Sequence, residues 1–372
     1  MSVVVTGIGL VSALGANAGQ TWQRLLSGES AIALRQPFSD LGPRPLAMLG
    51  KQSADLDPLL ITAAQAAIQD AGLPGKLSDC GVVIGSSRGH QAQWERFLTT
   101  GMIEGWESSL PHMGAIAVAR QLGSQGPVLS PMAACATGVW AIAQGADLIR
   151  SGQCDRVLVG AGEAAITPLT LAGFAQMRAM ATTGCYPFDQ RREGLVLGEG
   201  AAVLLLESAA AARDRSAHIY ARLLGAGLTA DANHVSAPDV ASHQGGLAAI
   251  RVCLERSQLT PDAVDLIHAH GTSTRLNDAY EGELIQTIFP PSVWVTGTKG
   301  ATGHTLGASG AIGAVMCVLA LQQQTVPPCV GLSKPAFELR LPQTAVRTSL
   351  TTALCFSFGF GGQNAVIALS TP

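Results

Sequence analysis

Short, almost wholly apolar runs recur along the chain at residues 3–5, 81–84, 156–159, 202–206, 219–224, 264–268, 293–296, 353–356 and 365–369. Runs without a polar stripe predict strands buried on both faces. Between them, residues 57–71, 138–151 and 246–257 are rich in Ala and Leu and bounded by turn residues such as Gly72, Pro74 and Pro261. These segments predict helices. Strands alternating with helices of this length predict a layered α/β fold with helices covering the sheets. A change of texture at residues 209–216, where Ala-rich sequence meets Arg213, Asp214 and Arg215, divides the pattern. On each side the same order recurs: a strand, a Gly-rich turn holding a reactive-type side chain, then a helix of small residues. The chain is therefore expected to form two similar halves, residues 1–208 and 209–372, around one interior.

Composition agrees with a packed enzyme. Only 13% of the 372 residues are charged, 47% are hydrophobic, and the 43 glycines exceed the usual share of about 7%. A net charge of −3 gives no global attraction to nucleic acid or to an anionic membrane. The eight cysteines form no C-x-x-C pair, which predicts a reducing compartment and a soluble, cytoplasmic protein. No apolar run is expected to cross a membrane, because small or polar residues interrupt each one.

Four blocks carry candidate chemistry. In Pro131-Met132-Ala133-Ala134-Cys135-Ala136-Thr137-Gly138, small residues allow a sharp turn and close substrate approach around Cys135. A cysteine at a helix start meets free N–H groups and the positive end of the dipole, so a stabilised thiolate is expected there; a small buried core cysteine is the alternative. The other seven cysteines have no such setting and are expected to be structural. In His268-Ala269-His270-Gly271-Thr272-Ser273-Thr274, a buried strand runs into a hydroxyl-rich loop, where α/β scaffolds place reactive groups. His270 is the candidate, with His268 a supporting or structural residue. In the block from Thr298 and Lys299 to Gly310, Gly303, Gly307, Gly310 and Ala314 recur at helical spacing, placing His304 at the start of a buried helix. A neutral imidazole there can donate to a developing oxyanion. Lys299 lacks the spacing of a phosphate-binding loop. The fourth block, Phe356 to Asn364, alternates glycines with aromatics. The early Gly7-Ile8-Gly9 lacks the third glycine and the later acidic residue of a dinucleotide fingerprint.

Taken together, the blocks A-C-A-T-G, H-G-T-S-T, K-x-x-x-T-G-H-x-x-G-A-x-G and F-G-F-G-G-x-N, in this order, resemble the elongating Cys-His-His β-ketoacyl-acyl-carrier-protein synthases of the thiolase superfamily. Pro187-Phe188-Asp189 ahead of residues 194–200 adds to the resemblance, which spans nearly the whole chain. It implies a five-layered α-β-α-β-α fold of two similar halves and a dimer, either a homodimer or a heterodimer with a ketosynthase-like subunit. It implies decarboxylative condensation of an acyl thioester with malonyl-carrier protein. No bound cofactor is implied, because the phosphopantetheine arm arrives on the acyl carrier protein. By position, Cys135 resembles the nucleophile, and His270 and His304 the histidine pair. Lys299 matches the lysine that orders the site and Glu281 the glutamate beside it. Phe360 matches the gating phenylalanine, its N–H and that of Cys135 forming the oxyanion hole. Thr272 and Thr274 match threonines that contact pantetheine.

The sequence departs from that pattern in a short segment before Cys135, a trimmed stretch at residues 180–186, and at His268, Arg275, Asn277 and Gln363. These changes reshape the mouth and point toward a specialised synthase. A non-condensing chain-length partner subunit is the alternative, opposed by the intact triad. A metal site on His268, His270 and His304 lacks any supporting carboxylate–histidine pattern.

Overall fold

The computed structural model describes residues 1–240 and 242–372. Ten strands form one continuous sheet system: β1 (Val3–Ser12), β2 (Gly81–Gly85), β3 (Val128–Leu129), β4 (Arg156–Glu163), β5 (Gly200–Ser208), β6 (Ala221–Ala230), β7 (Leu266–His268), β8 (Trp294–Thr296), β9 (Thr352–Gly359) and β10 (Gln363–Ser370). Their spatial order is β8-β7-β9-β10-β6-β1-β5-β4-β2-β3. The order is a repeat. In the N-terminal half β3, β2 and β4 run parallel, and β5 and β1 follow antiparallel. In the C-terminal half β8, β7 and β9 run parallel, and β10 and β6 follow antiparallel. The two half-sheets meet where β1 pairs with β6 over only three positions, Val3–Val5 against Ala221–Leu223.

Six helices repeat with the strands: α1 (Leu56–Asp70), α2 (Met113–Leu122) and α3 (Thr137–Arg150) in the first half, α4 (Gln244–Ser257), α5 (Arg275–Ile288) and α6 (Ser309–Gln323) in the second. Strand residues alternate between faces. Val82, Leu158 and Val203 face a cluster with α1 and α2, whereas Val83, Val157 and Leu204 face the central core. In β9, Ala353 and Cys355 face that same core, while Leu354 and Phe356 face α4 and α5. Helices α3 and α6 fill the central layer between the half-sheets. The result is the thiolase-like α-β-α-β-α arrangement that the blocks implied.

The helices that the pattern predicted lie within a residue or two of their expected positions, and every predicted strand overlaps an observed one. The glycines of Gly7-Ile8-Gly9 serve packing: a side chain at Gly9 would sit 1.9 Å from the Ala63 carbonyl oxygen of α1. One expectation needs qualification. Leu306–Gln323 has the length and mean hydropathy (1.5) of a membrane span, yet 89% of it is buried inside the protein, as befits the central helix.

The outer strands of the half-sheets differ. Beyond β8 the chain returns, so that Val295 N–H donates to Arg340 O at 3.0 Å and the Arg340 guanidinium lies 3.6 Å over Trp294. Strand β3 has no neighbour on its outer side among the described residues, and Leu129 and Met132 near it are exposed.

Candidate active site

The repeat brings the reactive side chains together. The turn from β3 into α3 carries Cys135, and the equivalent turn from β8 into α6 carries His304. The end of β7 leads into His270. Helices α3 and α6 cross so closely that a side chain on Gly138 would sit 2.5 Å from Ala311 N, and one on Gly310 would sit 2.8 Å from Val139 Cγ2. This approach draws the two turns onto one point. Ligand atoms of Cys135, His270 and His304 lie within 4.8 Å of one another, all three buried. The imidazole centroids are 5.3 Å apart and the rings nearly perpendicular, at 83°.

Local geometry explains each placement. Ala134, ahead of Cys135, holds a left-handed φ of 46°. Thr137 Oγ1 secures the turn, donating to Ala134 O at 2.7 Å and accepting from Ala133 N at 2.9 Å. Ser357 of β9 donates to Cys135 O at 2.9 Å. Gly359 lets the last block pass directly over this turn, since a side chain there would lie 3.0 Å from Cys135 N. The Phe360 N–H that follows favours the ionised form of the Cys135 sulfur.

Cys135 lies two residues before α3 begins, and its thiol is pushed up to about 11. This corrects the expected thiolate: burial outweighs the opposing effects of Lys299 and of the Phe360 N–H. His304 is also displaced from its expected helical position. It sits five residues ahead of α6 in an extended segment bridged to Leu197. Of the expected small-residue face, only Gly310 and Ala314 lie on α6, and Gly303 and Gly307 belong to the preceding turn. The imidazole still reaches the helix start, with Nδ1 2.8 Å from Ser309 Oγ. Burial first, and then the charge of Lys299, hold both His270 and His304 well below the ordinary histidine range. Both rings are neutral at physiological pH.

Lys299 is buried against His270, donating to its carbonyl oxygen, with Nζ 3.3 Å from Nδ1. An ammonium offers no lone pair, so Nδ1 accepts and the ring proton resides on Nε2. Glu281 accepts the N–H groups of His270 and Gly271 at 2.5 and 2.7 Å. One helical step earlier, Asp278 accepts from Ser273 N at 3.1 Å and Phe188 N at 2.8 Å. The i, i+3 spacing puts both carboxylates on the face of α5 that underlies the histidine loop. Burial raises Glu281 and lowers Lys299, while their mutual attraction opposes both shifts.

The triad opens into a cavity of about 490 Å³. Thr272, Thr274, Arg275 and Asn277 line it, as do Phe174 and Phe360, whose rings are 6.0 Å apart. Thr272 and Thr274 share a hydroxyl contact of 2.9 Å. His268 is absent from the cluster: it pairs in register with Cys355 beneath α6, close to Gly313. The three-histidine metal site is therefore not assembled. Cys355 itself is buried in β9 with its sulfur toward Gly310 O, outside the cavity lining.

One residue of consequence gave no motif signal. Glu163, the last residue of β4, is fully buried and accepts from Ser86 Oγ, Ser87 N, Arg88 N and Gly307 N at 2.7 to 3.1 Å. It ties the loop after β2 to the loop that carries His304. A lone acid closing an apolar strand was the available clue.

A buried Cys-His-His triad set on the paired central turns of a duplicated five-layered fold defines a condensing enzyme of the thiolase superfamily. Residues 51–212 match the beta-ketoacyl synthase N-terminal domain and residues 220–333 the beta-ketoacyl synthase C-terminal domain. The chain belongs to the β-ketoacyl synthase family. It is 33% identical to a 3-oxoacyl-[acyl-carrier-protein] synthase 2 of Coxiella burnetii and to one of Rhizobium meliloti, the match in each case covering 99% of this chain and 98% of the relative. Among solved structures, a type II polyketide ketosynthase in complex with its acyl-carrier protein and bound to the hexaketide superposes with a TM-score of 0.93 at 28% identity. That match covers all of this chain and 99% of the other. The ishigamide ketosynthase/chain length factor superposes at 0.90, also 28% identical, over 100% and 99% of the two chains.

Proposed function

We propose that this protein elongates an acyl chain by decarboxylative condensation with malonyl-carrier protein, Cys135 holding the acyl group and His270 and His304 acting on the malonyl unit. The convergence of these three buried side chains carries the reading. In the first half-reaction the Cys135 sulfur attacks the acyl carbonyl of the carrier-protein thioester. A new C–S bond forms to Cys135, the pantetheine C–S bond breaks, and the thiol proton passes to the departing pantetheine sulfur. The Phe360 N–H and the Lys299 charge favour the sulfur as it becomes anionic. The N–H groups of Cys135 and Phe360 act as the oxyanion hole for the acyl carbonyl.

In the second half-reaction malonyl thioester loses CO2, and the electron pair moves onto the thioester oxygen as an enolate. His270 donates to that oxygen through Nε2–H. His304 does the same when Ser309 donates to its Nδ1. The enolate carbon then attacks the acyl-Cys135 carbonyl; the C–C bond forms, the C–S bond breaks, and the thiolate returns. Neutral imidazoles suit this step, since a charged ring would protonate the carbanion.

Lys299 and Glu281 act as positioning residues, fixing the His270 ring and its loop. Thr272 and Thr274 contact the pantetheine arm, and Phe360 gates the cavity against Phe174. The two halves, residues 1–208 and 209–372, divide the work, with nucleophile in one and histidines in the other. The carrier protein brings the phosphopantetheine, so no resident cofactor is required. The bare edge of β3 with Leu129 and Met132 fits a dimer interface, and the solved ketosynthase/chain length factor pair supports a paralogous partner as the second choice. A cytoplasmic location accords with eight unpaired thiols.

Incubation with acyl- and malonyl-carrier protein, followed by intact mass of the enzyme and product analysis, tests the reading. Acylation confined to Cys135 and a β-ketoacyl product are expected. A Cys135→Ala variant that still forms β-ketoacyl product from the two substrates defeats it.

A further inference from the structure

The cavity that opens from the triad carries two positive charges that the condensation chemistry does not use. Arg178 and Arg275 both line it, one from each half of the chain. Both are solvent-exposed, which puts them at its mouth, whereas Cys135, His270 and His304 are buried. Neither guanidinium has a hydrogen-bond or ion-pair partner among the described residues. The two carboxylates of the same lining are engaged elsewhere. Glu193 accepts from Thr182 N and Thr183 N at 2.9 and 2.6 Å, and Asp231 accepts from Asn364 Nδ2 at 2.7 Å.

The main chain fixes both arginines. Arg178 follows the helix Pro168–Gln176 with a left-handed φ of 53°, and its N–H donates to Ala175 O at 2.9 Å. Arg275 is the first residue of α5, capped by Thr274, whose Oγ1 accepts from Asn277 N at 3.2 Å. Thr274 also shares its hydroxyl contact with Thr272, the pair assigned above to the pantetheine arm. A single loop thus leads from the buried His270 past buried Thr272 and half-buried Thr274 to exposed Arg275.

A pantetheine arm laid along that loop, with its thioester at the triad, passes its amides over the threonines and ends at its phosphate. That phosphate is the only charged group on the arm. The planar fork of a guanidinium matches two phosphate oxygens and still tolerates water around them. The other anion of the reaction, the malonyl carboxylate, is lost beside the buried histidines and lies away from both arginines. We propose that Arg275, with Arg178, binds the phosphate of the incoming phosphopantetheine arm, so that the enzyme selects phosphorylated over phosphate-free thioesters. This rests on the condensing-enzyme reading and adds to it a recognition element outside the triad. Position 275 is one of those at which the sequence departs from the resembled pattern, so the contact belongs to this chain.

The test compares loading of Cys135 by the octanoyl thioesters of pantetheine and of phosphopantetheine, neither joined to protein, and by octanoyl-carrier protein. Wild type, Arg275→Ala, Arg275→Lys and Arg178→Ala are read as kcat/KM for loading by intact mass. The wild type is expected to favour the phosphorylated small thioester by about tenfold, the discrimination that one charge-assisted hydrogen bond supplies. Arg275→Ala should bring that ratio close to one and Arg178→Ala should lower it. Arg275→Lys should keep part of it, since an ammonium still donates. The phosphate-free thioester reports within each variant that the fold and the triad are in place. A wild-type ratio near one, or a ratio unchanged in Arg275→Ala, overturns the assignment and leaves the condensing reading intact. Slower loading from carrier protein at an unchanged ratio places the arginines against the carrier's own acidic surface, which overturns it too. Failure of the wild type to load from any of these thioesters overturns both.

Discussion

The turns that open the two central helices occupy equivalent places in the repeat and carry opposite chemistry. Thr137 begins α3 and steadies Cys135; Ser309 begins α6 and touches His304. Gly138 of one helix abuts Ala311 of the other, and Gly310 in turn abuts Val139. The duplicated scaffold supplies position, and a single side chain in each turn decides what that position does. A cysteine stands in one turn and an imidazole in the other, and the two converge.

Removing each member should separate the stages. Cys135→Ala is expected to abolish both loading and elongation. His304→Ala should leave acylation of Cys135 largely in place and lower condensation by about 10²- to 10³-fold, the cost of one oxyanion donor. Single-turnover mass spectrometry with labelled acyl-carrier protein measures both. Equal loss of loading in the two variants breaks the division of labour between the turns.

The turns also differ in how they respond to pH. Burial pushes Cys135 up to about 11 and holds His304 well below its ordinary range. A raised thiol means little thiolate near neutrality, so the alkylation rate of Cys135 in the free enzyme should climb about tenfold per unit from pH 7 to 10. A plateau below pH 8 contradicts the burial argument. A lowered imidazole is neutral at and above pH 6.5, so condensation from preformed acyl-enzyme should stay flat there and fall only on the far acid side. Rapid-quench rates across the range decide this.

The helix contact is reciprocal but not equal. A methyl group on Gly138 meets main-chain nitrogen at 2.5 Å, whereas one on Gly310 first meets a movable valine methyl at 2.8 Å. Gly138→Ala should therefore cost about 2–3 kcal/mol and Gly310→Ala about 1 kcal/mol, seen as a larger fall in Tm for the first. The reverse order sinks the geometric ranking. The smallest effect concerns the outer strands. Because β8 is covered by its own chain and β3 is bare, Leu129→Lys should weaken self-association several-fold without altering Tm of the monomer. Trp294→Lys should do the reverse. Sedimentation velocity separates these outcomes.

Much of this was legible in the linear pattern. Uninterrupted apolar runs marked the long strands because both faces of each half-sheet are covered. Strand β3 escaped notice, being two residues long. The repeat was visible as an order of elements although Cys135 and His304 share no sequence. The ordered motifs singled out the residues that the fold gathers. What the sequence withheld was environment. A helix start suggested a stabilised thiolate at Cys135, but desolvation depends on Ser357, Gly359 and Phe360, more than 200 positions away. Glu163 belongs to no motif and acquires meaning only when β4 and β2 lie side by side.

The bond from Ser357 to the Cys135 carbonyl spans 222 residues. At a translation rate of about 5–20 residues per second, the ribosome needs about 10 to 45 s to make the segment between them. The nascent chain bears its cysteine before His270, Lys299 and His304 are made, and to the end of that interval without the Ser357–Phe360 segment that packs over the cysteine turn. Assembly of the complete site is thus deferred until the last two strands emerge. A truncated product released before then carries an ordinary thiol and no capacity to consume carrier-bound substrate.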